Sequence, residues 1–281
     1  MKIYDSHVHI LFEGSKSVFE NFISYFREID VVGFNALVIA EYPIELKIIQ
    51  HMVPEEYQKN VSLEILSLQK NILPILQQVK DMEIVPYLDA RYMETEIEAK
   101  IKNYHAQGFR GLKLLYVPER DDSSRIDGME IAFKRYRRES EKITSMLIDA
   151  ASLHSMTVLI HVDIRKYADF VAEMLESHPH TNFNIAHFGL SRRSIIPLLE
   201  RYSNCYTDMA SLVPFIKRDP SPYIEFIKHY EDRVLFASDA LIGDPEAVLK
   251  TSRYISGLLS DTGLTEKIFY ENYLTFHNSK H

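Results

Sequence analysis

The residues best suited to chemistry stand near the start of the chain, in Asp5-Ser6-His7-Val8-His9. Side chains two apart on a strand project from the same face. If MKIYDSHVHI is a strand, His7 and His9 therefore converge on one point. Two neutral imidazoles on one face make half of a zinc-type site. Ile3, Tyr4, Val8 and Ile10 give the segment its strand character. His-x-His alone is more often a solvated or locally hydrogen-bonded pair than a ligand pair, because short motifs recur by chance. The remainder of the chain has to supply the other half.

Further ionisable residues recur at the ends of short apolar, β-branched segments. Such segments occupy residues 2–8, 34–40, 83–89, 111–116, 157–162, 182–187, 205–209 and 233–238. His161 ends the fifth, His187 ends the sixth, and Asp239 follows the eighth. Lys113 lies within the fourth, and Arg91 follows the third. Between the segments run amphipathic stretches over 94–106, 139–153, 168–176 and 194–202. Their apolar residues repeat at three- and four-residue spacing, as in Ile143, Met146, Leu147, Ala150 and Leu153. Strands alternating with helices predict a parallel sheet with crossover connections. Eight such units predict a (β/α)8 TIM barrel, with the metal site at the C-terminal ends of its strands. The alternative, an open doubly wound sheet, usually carries a glycine-rich phosphate turn after its first strand. Here the first strand runs into His-Val-His and then Leu-Phe-Glu. In a barrel, His7, His9, His161, His187 and Asp239 share one ring of strand ends. A buried histidine cluster without a cation is costly, since every ring nitrogen needs a partner.

The bulk properties fit this reading. With 281 residues, 46% of them hydrophobic, the chain can form a single barrel domain over 1–281. Its one cysteine, Cys205, excludes an intrachain disulfide and reads as a small core residue. No signal pattern and no membrane-length apolar run are present, which predicts a cytoplasmic protein without a membrane role. A net charge of -8 disfavours nucleic-acid binding. A small-molecule substrate is the expected partner, and a homo-oligomer stays open. The basic run at 134–138 reads as a solvated helix start. Two long segments, 41–82 and 117–134, follow strands and so belong at the C-terminal face. The first holds a helical pattern over 61–79. The second reads as a lid or substrate loop, or as a mobile surface loop without a role.

The segments YDSHVHI, GFRGLKLL, LIHV, NIAHFG and LFASDA occur in this order. With the late ENYLTFHN they resemble the amidohydrolase superfamily, especially its amidohydrolase-2 branch of hydrolases and decarboxylases. Asn272 stands where the family has asparagine, and Tyr273 where alanine is usual. The resemblance implies that His7, His9, His161 and Asp239 hold one divalent metal ion, Zn2+ in the first place and Mn2+ or Fe2+ otherwise. The ion would lower the pKa of bound water to about 7. Asp239 would take the proton of the attacking water, and His187 would act as electrophile or general acid. Lys113 has two readings. In two-metal relatives a lysine here is carbamylated and bridges the ions; in the preferred one-metal reading its free amine holds an anionic substrate. Arg91 either clamps a substrate carboxylate or is a surface charge opening the next helix. Tyr42 and Arg165, just beyond strand ends, are weaker candidates. Asp5 and Asp208 read as structural, with orientation of a ligand histidine as the other role for Asp208. The implied function is hydrolysis of an amide, ester or lactone carbonyl. A non-oxidative decarboxylase using the same site is the alternative within enzymes. A non-catalytic ligand-binding barrel is the alternative outside them, against which the retained ligand set argues.

Overall fold

A computed structural model describes residues 1–10, 16–70, 72–241, 243–260 and 262–278. The strands are β1 (Ile3–His9), β2 (Val31–Val38), β3 (Glu83–Asp89), β4 (Gly111–Leu115), β5 (Thr157–His161), β6 (Phe183–Ile185), β7 (Cys205–Asp208), β8 (Val234–Leu235) and β9 (Ala240–Leu241). They pair in parallel in the order β8-β7-β6-β5-β4-β3-β2-β1-β9. The two ends of this sheet, β8 and β9, are consecutive pieces of one extended segment. Phe236, between them, accepts 3.0 Å from the Ser6 amide of β1, and the Asp239 amide donates 3.1 Å to His7 O. The sheet is therefore closed on itself as the expected (β/α)8 barrel, with the eighth strand split where Asp239 adopts a left-handed φ of 63°.

Parallel strands covered by helices are buried on both faces, so they read as nearly continuous apolar runs. The VVGFNALV of β2 is an example. Helix Lys16–Glu28 repeats Phe19, Phe22 and Phe26 toward the sheet, and the Phe26 ring meets Phe34 edge-on at 5.3 Å. Each such fully buried phenylalanine contributes roughly 1.5–3 kcal/mol. The closing helix Asn272–Asn278 seals the N-terminal end of the barrel. Asn272 Nδ2 donates to Val234 O at 2.7 Å, and Tyr273 OH donates to Asn35 Oδ1 at 2.7 Å. Tyr273 thus performs a bond that alanine could not.

Strand 6 ends earlier than expected, at Ile185 rather than 187. His187, Phe188, Gly189 and Leu190 follow with φ values of 57°, 51°, 62° and 57°. The expected helix over 61–79 is instead Leu63–Lys70 and Leu73–Leu76, because Pro74 has no amide to continue the first. The basic run at 134–138 is not wholly solvated. Arg135 is buried, with Nη1 3.3 Å from Glu94 and its guanidinium over the Phe133 ring.

The two long segments pack on each other above the strand ends. Ile126 and Met129 from the second join Ile49, Met52, Val53 and Leu66 from the first in a separate apolar cluster. The amides of Asp127 and Gly128 donate to His51 O, and His51 Nδ1 lies 2.7 Å from Asp127 Oδ2. The second segment therefore shares a buried core with the first, unlike a free surface loop. Among the described residues no helix is long and apolar enough to cross a membrane.

Candidate metal centre

β1 delivers both of its histidines to one point. His7 Nε2 and His9 Nε2 are 3.2 Å apart, and Asp239 Oδ1 lies 3.4 Å from the first and 3.2 Å from the second. Donor atoms of His7, His9 and Asp239 all fall within 4.8 Å of one another. Lys113 Nζ, from the middle of β4, is 3.2 Å from His7 Nε2. His161 is not in this tight group. The rings run in a chain: His9 to His7 at 5.0 Å, His7 to His187 at 5.3 Å, and His187 to His161 at 5.0 Å. His161 Nε2 faces Asp121 Oδ2 at 3.8 Å.

The electrostatics keep His7, His9 and His161 neutral. Burial and the nearby Lys113 ammonium hold His7 down at about 3, against the pull of Asp239 and Asp208. Burial holds His161 down at about 4, and lowers His9 as well. Asp239 stays well below the usual carboxylate range: burial works against it, but His7, His9 and His187 prevail. Burial brings Lys113 down to about 8, so it is still mainly protonated at pH 7.

These atoms fit a divalent cation. His7 Nδ1 lies 3.2 Å from Asp208 Oδ2, in the buried interior. A carboxylate only accepts, so the His7 proton is on Nδ1 and the Nε2 lone pair faces the Asp239 carboxylate. The Lys113 ammonium meets that lone pair at 3.2 Å, and a divalent cation would meet it together with His9 Nε2 and the Asp239 carboxylate. His9 Nδ1 and His161 Nε2 are buried without a hydrogen-bond partner. Nitrogen and carboxylate donors with one side open to a cavity suit a catalytic rather than a structural ion.

The local backbone is as unusual as the side chains. His187, Asp239 and Ser211 are non-glycine residues at φ 57°, 63° and 55°. Such conformations cost about 1–3 kcal/mol each and gather at functional sites. Asp208 Oδ1 accepts from the His187 and Ala210 amides, at 2.9 and 3.1 Å. His187 Nδ1 donates to Ala210 O at 2.9 Å, which leaves Nε2 for chemistry. Ser211 Oγ donates to Asp239 Oδ2 at 2.6 Å.

A cavity of about 530 Å³ opens over the centre, lined by the four histidines, Asp239 and Lys113. The two long segments supply its rim, with Glu55, Tyr57, Ser124 and Arg125 among the lining residues. Arg91 also lines it, but most of its guanidinium is committed. Nε and Nη2 bind both oxygens of Asp89 at 2.9 and 2.5 Å, and Nη1 donates to Met52 O. It is buried, so the reading as a surface charge opening a helix does not hold. Of the weaker candidates, Arg165 folds back on Asp163 as part of a helix cap, and Tyr42 stacks under Lys70. Asp208 faces His7 as its alternative reading, orientation of a ligand histidine, expects; sequence reasoning missed Asp121 and Ser211, whose partners His161 and Asp239 lie far along the chain.

An all-parallel barrel with histidines and an aspartate gathered at its strand ends defines a class of metal-dependent hydrolases. The amidohydrolase family profile matches residues 76–272, and the chain belongs to that family. No curated protein matches it in sequence. Among solved structures, it is similar to an uncharacterised TIM-barrel protein from Bordetella bronchiseptica, at 10% identity, covering 98% of each chain with a TM-score of 0.62. A TatD-family hydrolase from Entamoeba histolytica is similar at 8% identity, again over 98% of each chain, with a TM-score of 0.60. An amidohydrolase from Burkholderia multivorans with bound zinc is similar at 10% identity, over 99% of each chain, with a TM-score of 0.55. At these identities the likeness speaks for the fold.

Proposed function

We propose that this protein hydrolyses an amide, ester or lactone carbonyl of a small, anionic substrate with the help of one divalent metal ion. The observation that carries the reading is the convergence of His7 Nε2, His9 Nε2 and Asp239 Oδ1, with the His7 tautomer fixed by Asp208. His7, His9 and Asp239 would hold the ion, with His161 as the fourth candidate ligand; zinc is the first expectation, manganese or iron the alternatives. When bound, the ion supplies Lewis acidity toward the carbonyl and acidifies water.

The protein's own groups account for the rest. Asp239 is ionised and held by Ser211, ready to accept the proton of the attacking water. His187, anchored through Nδ1, presents Nε2 to the cavity. When its ring is protonated, Nε2 donates to the developing oxyanion or to the leaving group. Lys113 places a positive charge on the cavity floor for an anionic group of the substrate, and a free amine there matches the one-ion reading. The chain is expected to act on small molecules in the cytoplasm, without nucleic-acid or membrane partners.

Elemental analysis of protein purified without chelator or affinity-column metal tests the reading first. About one divalent ion per chain supports it; two ions favour a carbamylated Lys113 bridge. A panel of N-acyl, ester and lactone substrates in 18O-labelled water then follows. Label entering the organic product marks the hydrolase, whereas CO2 released from a conjugated carboxylic acid, with no label in the organic product, marks the decarboxylase. A chain that takes up no zinc, manganese or iron would sink the reading and favour a non-catalytic barrel.

A further inference from the structure

Asp121 has no part in the chemistry above, yet its carboxylate is held by three donors on the rim. It lies in the 117–134 segment, in a short loop closed by two backbone bonds: Asp121 N to Ile126 O at 2.9 Å and Ile126 N to Asp121 O at 3.1 Å. Its Oδ1 accepts from the amide and the hydroxyl of Ser123, at 3.0 and 2.7 Å. Its Oδ2 accepts from Ser124 Oγ at 2.5 Å. Three donors fix the carboxylate, and its Oδ2 lies 3.8 Å from His161 Nε2. That nitrogen is buried and has no hydrogen bond. The same loop supplies Ser123, Ser124, Arg125 and Ile126 to the cavity wall.

His7 provides the comparison. Asp208 faces its Nδ1 and leaves Nε2 for the cation. At His161 the nitrogens are exchanged: Asp121 faces Nε2, which leaves Nδ1 to offer a lone pair. A carboxylate behind a ligand imidazole fixes the tautomer and raises ligand basicity. The difference lies in the origin of the two acids. Asp208 belongs to a barrel strand, whereas Asp121 belongs to the rim.

We propose that Asp121 is a positioning residue for His161, and that through this pair cation binding is coupled to closure of the 117–128 segment over the cavity. The inference rests on the metal-dependent reading given above. A separation of 3.8 Å is longer than a hydrogen bond. With a cation held at Nδ1, the His161 Nε2–H would be a stronger donor, and the Asp121 carboxylate would close toward it. Coupling of this kind is reciprocal: the closed rim must tighten cation binding by the factor by which the cation favours closure.

The test compares wild type with Asp121→Asn, which keeps an acceptor for Ser123. Zinc affinity is measured by competition with a chromophoric chelator, and amide hydrogen exchange of the 117–128 segment with and without zinc. The expected variant binds zinc about 10–100-fold more weakly, and zinc slows rim exchange in wild type but not in the variant. An Asp121 that merely holds the loop together would speed rim exchange equally with and without zinc, at unchanged affinity; that result overturns the proposal. Nitrogen-15 spectra of zinc-loaded wild type give an answer that needs no variant. The His161 proton must reside on Nε2, and finding it on Nδ1 overturns the proposal. A wild type that binds no zinc at all brings down the metal reading itself, a failure distinct from the others.

Discussion

Replacing Arg91 by methionine separates a structural arginine from a substrate clamp. Arg91 and Asp89 are both buried, with side-chain exposures of 3% and 0%. The guanidinium satisfies both carboxylate oxygens and also ties Met52 O of the first long segment to β3. Removing one partner of a buried pair strands the other, at a cost of about 3–5 kcal/mol. Lys113 also helps to hold Asp89 ionised, which favours the lower end, roughly 3 kcal/mol. At about 2–4 °C per kcal/mol for a chain of this size, Arg91→Met should melt roughly 6–12 °C below wild type. Thermal unfolding followed by circular dichroism at pH 7.5 measures this. The gap should narrow toward pH 5. In wild type, burial opposes ionisation of Asp89 but Arg91 holds it below the usual carboxylate range. That contribution is present above the unfolded value of about 3.9 and is lost only as pH falls through the still lower folded value. Without Arg91, burial raises the carboxyl, which takes up a proton at mildly acid pH and relieves the variant. The double variant Asp89→Leu/Arg91→Met should recover most of the loss, because no charge remains stranded. A single variant that melts within about 2 °C of wild type and shows only a raised KM would refute the structural argument and restore Arg91 to the substrate.

Two further outcomes are expected. Ser211→Ala removes the hydrogen bond to Asp239 Oδ2 and should lower kcat about tenfold with little change in KM, the equivalent of roughly 1.4 kcal/mol; steady-state kinetics on the ester or amide that the substrate panel identifies would check it. Burial holds His277, at the closed end of the barrel, down at about 3, so between pH 6.5 and 3 the unfolded chain binds the proton that the folded chain refuses. Stability is therefore lost progressively as pH falls through that window, and His277→Gln should flatten the melting-temperature profile between pH 6.5 and 4.

Much of the architecture was legible because parallel strands buried on both faces leave unmistakable apolar runs. The 83–89 segment is β3 residue for residue, and the β4, β5 and β7 segments each end within one residue of the expected position. The His7-Val8-His9 spacing is realised as adjacent ring nitrogens, although it lies outside the matched 76–272 region. What propensity does not encode is where a strand stops for functional reasons. Strand 6 yields to the left-handed turn at His187, and strand 8 breaks before Asp239. Nor does spacing reveal which acid serves which base. Asp208 reaches His7 across 201 positions of sequence, and Arg91 turns back onto Asp89 only because the barrel buries both.

The acids within the barrel organise those irregular turns. Asp208 binds the amides that hold His187 in its turn, and also faces His7 and Asn184 Nδ2. Asp5 Oδ1 plays the corresponding part for β1 and the eighth strand, accepting from the amides of His7 and Ser238 at 3.1 Å each. Their ionisation nevertheless differs. Burial raises Asp5 to about 7, with help from the Asp208 charge, and its Oδ2 has no partner. Asp208 is equally buried, but His7, His187 and the amides bring it down to about 2. Near neutral pH one of the two therefore works partly as a neutral acid, and the other only as an anion. Asparagine imitates the first and not the second. In Asp5→Asn the carbonyl oxygen can serve both amides, and the side-chain NH2 replaces an atom that had no partner. In Asp208→Asn an NH2 would face the proton of His7 Nδ1 and the NH2 of Asn184, or the amide would flip and lose the His187 turn. Asp208→Asn should cost at least 1–3 kcal/mol, about the penalty of unpaired buried donors, and weaken zinc binding about 10–100-fold. Asp5→Asn should change both by far less. Equal losses in the two variants, in melting temperature and zinc affinity alike, would show that the turns are held by shape and not by the charge on Asp208.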